Sequence, residues 1–150
     1  MPDIKEQLYQ LCGEYLRTRE TEIKRAIDEA REAANNETKS SAGDKYETGR
    51  EVMQQEIDLN SMRLNELNKL KTTLEYIAPA HTSTIVVSGS VVYTNNGNFY
   101  IAISAGQLKI GDTTFYAISA ASPIGSKLAG QKVGYSFTLN GKQYLIESVL

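Results

Sequence analysis

Tryptophan is missing from this chain of 150 residues, and histidine and cysteine occur once each, as His81 and Cys12. With one of each, a zinc site built from several Cys and His ligands cannot be assembled within the chain. A single cysteine excludes an internal disulfide framework and points to a cytoplasmic location. Any Ser-His or Cys-His nucleophilic site would have to use His81, which has no Ser or Cys partner placed for it in sequence. No apolar run approaches the roughly 18 residues of a membrane-spanning helix, and the opening MPDIKEQLYQL has no signal-peptide layout. A basic excess is lacking as well. Lys and Arg number 16 against 18 Asp and Glu, a net charge of −2, which argues against a general nucleic-acid binder. Neither a GxSxG elbow, a Walker A loop nor a GxGxxG turn is present.

What is present falls into two unlike halves. Residues 1–78 hold 12 Lys/Arg and 16 Asp/Glu, and residues 79–150 hold 4 and 2, so the net charge changes from −4 to +2. Eight of the 11 glycines lie in the second half. The first half is rich in Glu, Lys, Arg, Leu and Ala, which favour helix; the second is rich in Val, Ile, Thr and Tyr, which favour strand.

In the first half apolar residues recur at three- and four-residue steps. Ile4, Leu8, Leu11 and Tyr15 form one stretch, and Ile23, Ile27, Ala30 and Ala34 a second, with a slip of phase between Leu16 and Arg19. A third runs Met53, Ile57, Asn60, Leu64, Leu67, Lys71, Leu74, and Pro79 stops it. The polar stretch NNETKSSAGD, residues 35–44, reads as the loop between two long helices. A short loop implies an antiparallel hairpin, and roughly 30 residues per helix give an arm about 45 Å long. Cys12 lies beside the stripe and is expected to be a buried small hydrophobe. The charges of the first helix are interleaved: Arg17, Arg19, Lys24, Arg25 and Arg31 with Glu20, Glu22, Asp28, Glu29 and Glu32. Such interleaving reads as a salt-bridged helix surface.

The second half reads as short strands at Thr84–Val87, Val91–Thr94, Phe99–Ser104, Leu108–Ile110, Thr113–Ile118, Tyr135–Leu139 and Gln143–Val149. Turn residues separate them, and Asn140-Gly141 is a two-residue hairpin signal. SPIGSKLAG, residues 122–130, reads as a short helix with Ser122 as N-cap, Pro123 in the first turn and Gly130 past the end. The fold class expected is α+β: an antiparallel coiled coil over 1–78, a linker at 79–83, and a small β domain with one short helix over 84–150. Tyr93, Tyr100, Tyr116, Tyr135 and Tyr144 sit on the expected strands. An aromatic sheet face can stack single-stranded bases, but without a basic surround core and strand-surface roles are favoured.

The stretch ISAASPIGSKLAGQKVGYSFTLNGKQYLIESV, residues 118–149, resembles the C-terminal signature of the Gre transcript-cleavage factors (GreA and GreB) of bacterial RNA polymerase. That signature runs Ile-Ser, two residues, Ser-Pro-Ile/Leu-Gly, a small helix ending in Gly, Lys-Val-Gly, and a hairpin closing on Tyr-x-Ile. The matching residues are Ile118, Ser119, Ser122, Pro123, Ile124, Gly125, Leu128, Gly130, Lys132, Val133, Gly134, Tyr144 and Ile146. Upstream, SGSVVYT at 88–94 is similar to the family's Gly-Ser-x-Val strand. The resemblance implies a β domain like that of FK506-binding proteins, docked at the rim of the polymerase secondary channel. It implies that the coil enters the channel and that acids at its tip help hold a Mg²⁺ shared with the polymerase, assisting hydrolysis of backtracked RNA. The chain would then be an accessory factor with no enzymatic site or cofactor of its own. It would act as a monomer in the cytoplasm, away from membranes, and meet nucleic acid only through the polymerase.

At the tip the chain departs from the family, whose tip reads roughly Asp-Leu-Ser-Glu-Asn-Ala-Glu-Tyr. With that tyrosine aligned on Tyr46, the two functional acids fall on Lys39 and Ala42, and neither is acidic. Asp44 and Glu47 lie close by at three-residue spacing, with Glu37 just before. They are the tip candidates for assisting the polymerase and for the shared Mg²⁺; they equally suit a helix N-cap and its capping-box partner. On the β domain Ser122, Pro123, Lys127 and Lys132 are the partner-binding candidates. Ser122 and Pro123 are equally explained as a cap and a first-turn proline, and the lysines as solvated charges. His81 is expected to be a solvent-facing linker residue.

Two rival functions stand beside transcription regulation. One is a coiled-coil assembly protein that associates through the stripe at Leu64, Leu67 and Leu74 and has no polymerase role. The other is a peptidyl-prolyl isomerase, on fold analogy alone, against which the lack of an obvious proline pocket with tryptophan counts.

Overall fold

The structure, a computed structural model, describes residues 3–39, 43–77 and 81–150; the side chains of 37–39 and 43–48 lie outside that description. The chain forms two long helices that pack against each other, followed by a six-stranded mixed sheet with one short helix, an α+β architecture. Helix α1 spans Ile4–Lys39 and α2 spans Gly43–Glu75. The carbonyl of Asp3 accepts from the Gln7 N–H at 3.0 Å, which makes Asp3 the residue from which α1 starts. No glycine or proline lies between Gly13 and Gly43, so nothing interrupts the helix. It therefore runs through Asn35 to Lys39, where a loop over 35–44 was expected. Polar residues such as Asn and Thr cost only about 0.7 kcal/mol each in a helix and do not stop one.

By internal packing the chain divides into two compact units, Met1–Tyr15 with Thr72–Leu150, and Leu16–Lys71. In the first unit the sheet order is β3-β4-β2-β1-β6-β5, with β1 at Val91–Thr94, β2 at Gly97–Ile101, β3 at Gly106–Ile110, β4 at Thr113–Ile118, β5 at Ser136–Leu139 and β6 at Lys142–Val149. All neighbours are antiparallel except β2 and β4, which run parallel. Strand alternation gives the sheet two faces. Val92, Phe99, Ile101, Phe137, Tyr144 and Ile146 form one, and with Val86 they pack on Leu128 and Ile124 of helix α3, Pro123–Leu128. Phe137 and Tyr144 stack with ring centroids 5.0 Å apart. The other face carries Val91, Tyr100, Phe115 and Ala117, all buried, and the Tyr93 and Phe115 rings meet edge to face at 5.9 Å. Tyr100 lies close enough to Tyr9 and Cys12 of α1 to feel their charge when they ionise.

The expected strand Thr84–Val87 is not one. Val86 donates its N–H to the Gln131 carbonyl and accepts from the Gly130 N–H, both at 2.8 Å, while among the described residues Ile85 and Val87 bond only to the nearby Ser83 and Ser90. A single such pair fastens the segment without starting a ladder, and Ile85 and Val87 stay exposed. The strand expected at Phe99–Ser104 stops at Ile101, and Tyr135 lies just before β5. Asn140 has φ 53° and Gly141 φ 80°, the positive values that a two-residue hairpin turn needs.

In the second unit Leu16, Ile27 and Ala30 of α1 and Asn60 and Leu67 of α2 are buried. The expected α2 stripe holds: Met53, Ile57, Asn60, Leu64, Leu67 and Lys71 are all buried or half-buried. Asn60 resolves its place in an apolar seam by donating its side-chain amide to the Glu56 carbonyl at 3.0 Å. Glu20 of α1 pairs with Lys71 of α2 and with Lys24 one turn on, the latter at 2.9 Å. Along α1 the residues completely shielded are Leu8, Cys12 and Leu16, an unbroken series of four-residue steps; Leu11 and Tyr15, expected in that stripe, are half-buried.

Candidate partner-binding surfaces

The segment 118–134 is built around one serine. Ser122 has an extended backbone (φ −65°, ψ 160°), and its Oγ accepts from the Gly125 N–H at 3.1 Å, which caps α3. The same hydroxyl donates to the Ser119 carbonyl at 2.7 Å. A Cβ at position 125 would stand 2.1 Å from that carbonyl oxygen and 2.8 Å from Ser122 Oγ, so only glycine fits there. Ser119, Ser122 and Gly125 thus form one interlocked turn. Pro123 takes the first helical position, where a missing N–H leaves no bond unmade. The spacing noticed in the sequence therefore has a complete local explanation. What it presents outward is Pro123, exposed at the start of α3, and Lys127, exposed in its last turn.

The chain then leaves α3 through Gly130, at φ 79°, and runs alongside Val86. This contact brings the segment carrying Ile85 and Val87 next to Gly130 and Gln131, two residues before Val133. Ile85, Val87 and Val133 are 46%, 40% and 57% exposed, large values for aliphatic side chains. Lys132 is exposed beside them in sequence. Between Glu75 and Glu147 the one acidic residue is Asp112. The segments that Val86 joins to the end of α3 therefore combine exposed aliphatic side chains with lysines, and the exposed Glu147 adjoins them through Ile146, whose carbonyl accepts from the Gly134 N–H at 2.9 Å. Sequence reasoning found the lysines and Pro123 but missed Ile85 and Val87. A run of β-branched residues reads as a buried strand, whereas here Val86 pairs without a ladder and its two neighbours stay exposed.

Asp44 and Glu47 fall in the first two turns of α2, which begins at Gly43, so Asp44 stands inside the helix where an N-cap was expected. Their three-residue spacing is a same-side spacing on a helix. Their side chains lie outside the described residues, as does that of Glu37. No group of three or more His, Cys, Asp or Glu able to hold a metal occurs among the described residues. His81 is exposed, and its backbone carbonyl accepts from Lys5 Nζ. Lys5 is itself buried and donates also to the Leu150 carbonyl at 3.3 Å. Burial holds its ammonium below the usual lysine range, against the opposing pull of Asp3. Cys12 is fully buried, as expected, and burial pushes its thiol up to about 12, an inert state. Of the strand tyrosines Tyr100 and Tyr144 are buried, and Tyr116 keeps 37% of its surface exposed. No described helix is long and apolar enough to cross a membrane.

Compared with protein-family models and with curated proteins, the chain matches none of them.

Proposed function

We propose that the chain regulates transcription elongation by binding RNA polymerase at its secondary channel, as its resemblance to the Gre factors implies. The observation that carries this reading is the surface around α3. Pro123, Lys127 and Lys132 lie on segments that also expose Ile85, Val87 and Val133, with Asp112 the one acid between residues 79 and 146, a composition suited to a protein surface with an apolar centre and an acidic surround. A long helical hairpin preceding such a domain supports it further, because a two-helix shaft has little to bury and is suited to reach. In this reading the FK506-binding-protein-like β domain supplies affinity and the hairpin enters the channel. Asp44 and Glu47 then decide whether cleavage of backtracked RNA, with a Mg²⁺ shared with the polymerase, is stimulated or blocked. The chain is an accessory factor, and the polymerase does the chemistry.

The test is binding of the purified protein to core RNA polymerase in competition with an authentic Gre factor. Mutual displacement is expected; absence of binding at micromolar protein overturns the proposal. If the tip acts in cleavage, Asp44→Asn with Glu47→Gln is expected to abolish stimulated cleavage and leave polymerase binding unchanged. Cleavage that survives the double substitution removes those two residues as the acids. The rival assembly reading requires a free stripe at Leu64, Leu67 and Leu74. Leu67 and Leu74 are buried, at 4% and 6% exposure, which counts against it.

A further inference from the structure

The dipeptide Asn-Gly occurs twice, at Asn96-Gly97 and at Asn140-Gly141. Both asparagines are exposed and both lie in hairpin turns, yet their surroundings differ at every point that matters to one reaction. Asn96 donates its side-chain amide to the Gln143 carbonyl at 2.5 Å, and its own N–H is held by Thr94 Oγ1 at 3.1 Å. Gly97 is the first residue of β2, in register with Thr94, and a Cβ there would lie 3.4 Å from the Phe99 ring and 3.8 Å from that of Tyr116. This turn joins β1 and β2, which are interior strands of the sheet. Asn140 has no such ties: no hydrogen bond of its side chain occurs among the described contacts. The hairpin is closed by the pair Leu139 and Lys142, so Gly141 is a turn residue outside the ladder, with nothing within 4 Å of where a Cβ would stand. Its turn joins β6 to β5, an edge strand with one neighbour.

We infer that Asn140 is a site of spontaneous covalent modification, deamidation through a cyclic imide, and that the fold protects the identical dipeptide at Asn96. The Gly141 amide nitrogen gives its proton to solvent base and attacks Cγ of Asn140. The new N–Cγ bond forms, the Cγ–Nδ2 bond breaks, and the side-chain nitrogen takes up a proton and leaves as ammonia. Water then opens the imide at one of its two carbonyls, giving aspartate or isoaspartate at position 140. The step needs the turn to open so that nitrogen and Cγ can meet. Opening at 140 disturbs the end of an edge hairpin, whereas opening at 96 breaks the side-chain bond to Gln143 and moves a glycine in the ladder of an interior strand. The product adds a negative charge to a half of the chain that has two acids, and isoaspartate lengthens the backbone at a residue held at φ 53°.

The experiment is incubation of the full-length protein at mildly alkaline pH, folded and in denaturant, followed by proteolysis and mass spectrometry of the two Asn-Gly peptides. Methylation by an isoaspartyl methyltransferase serves as a second readout. The ratio of denatured to folded rate measures protection at each site and removes any difference in intrinsic reactivity. Protection at Asn96 is expected to exceed that at Asn140 by at least about fivefold, the factor that one net hydrogen bond is worth. Equal protection at the two sites, or stronger protection at Asn140, overturns the inference.

Discussion

The two units of this chain are stabilised in different ways. The unit formed by Met1–Tyr15 and Thr72–Leu150 contains all of the largest fully buried side chains among the described residues, including Tyr100, Phe115, Leu8, Ile101 and Leu128. The unit Leu16–Lys71 buries a thin series of Leu16, Ile27, Ala30 and Leu67, and supplements it with pairs such as Glu20 with Lys71. A sheet covered on both faces concentrates burial. A two-helix shaft has one narrow seam, so its stability is spread along its length. The first unit is thus expected to respond sharply to a single truncation, and the second weakly to any one.

Core truncation separates them most. Phe115→Ala should destabilise the first unit by about 3–5 kcal/mol, and Ile27→Ala the second by no more than about 2, because Ile27 sits in a seam that can collapse. Denaturant midpoints with hydrogen exchange read over 91–149 and over 16–71 check this. Equal costs would mean that the two units unfold as one.

Alkaline pH should act on the first unit next most strongly. The folded chain holds the Cys12 proton up to about 12 against an ordinary value of 9.0, so folding favours the protonated thiol. That contribution is complete below pH 9.0 and is lost as pH rises toward about 12. Burial raises Tyr100 and Tyr93 in the same direction. Lys5 works the other way: its folded value is lowered below 10.5, so its part of the stability rises with pH up to that value. Denaturant midpoints of the wild type should therefore fall more steeply with pH than those of Cys12→Ala, and parallel curves would contradict the assignment.

The smallest effect belongs to the shaft. Glu20→Gln removes the partner of both Lys24 and Lys71, whose side chains are 58% and 35% exposed. It should cost about 1 kcal/mol or less and lose even that at high salt. A larger cost that persists in salt would show the pair to be buried in solution.

Much of this architecture was legible in the residues. The helical periodicity, the Ser122 cap, Gly130 past the end of α3 and the Asn140-Gly141 turn are local signals, and each is where the sequence places it. Apart from the continuation of α1 through Asn35 to Lys39, which is local, the misreadings share a cause in partnership across long sequence distance. Thr84–Val87 has strand composition but finds one pairing, at Gln131 and Gly130. Cys12 and Leu16 displaced Leu11 and Tyr15 as the fully shielded pair along α1, and in the first unit a small thiol suits the approach to Tyr100. The buried Lys5 gives no sign in sequence, since its acceptors are carbonyls 76 and 145 residues away. For the candidate surface, Pro123 and the two lysines were readable, while the exposure of Ile85 and Val87 follows from a segment that pairs at Val86 without forming a ladder.

Those two carbonyls of Lys5 have a kinetic consequence. Helices, and hairpins such as β5 with β6, close between near neighbours and form in microseconds. The ammonium can reach its acceptors only after the start of α1, His81 and Leu150 have come together, which makes this contact one of the least local in the fold. Refolding is thus expected in two stages, with the helices and hairpins formed early and the burial of Lys5 marking the late docking of α1 on the finished sheet. A fragment cut within 79–83 would retain the early stage and lose the late one.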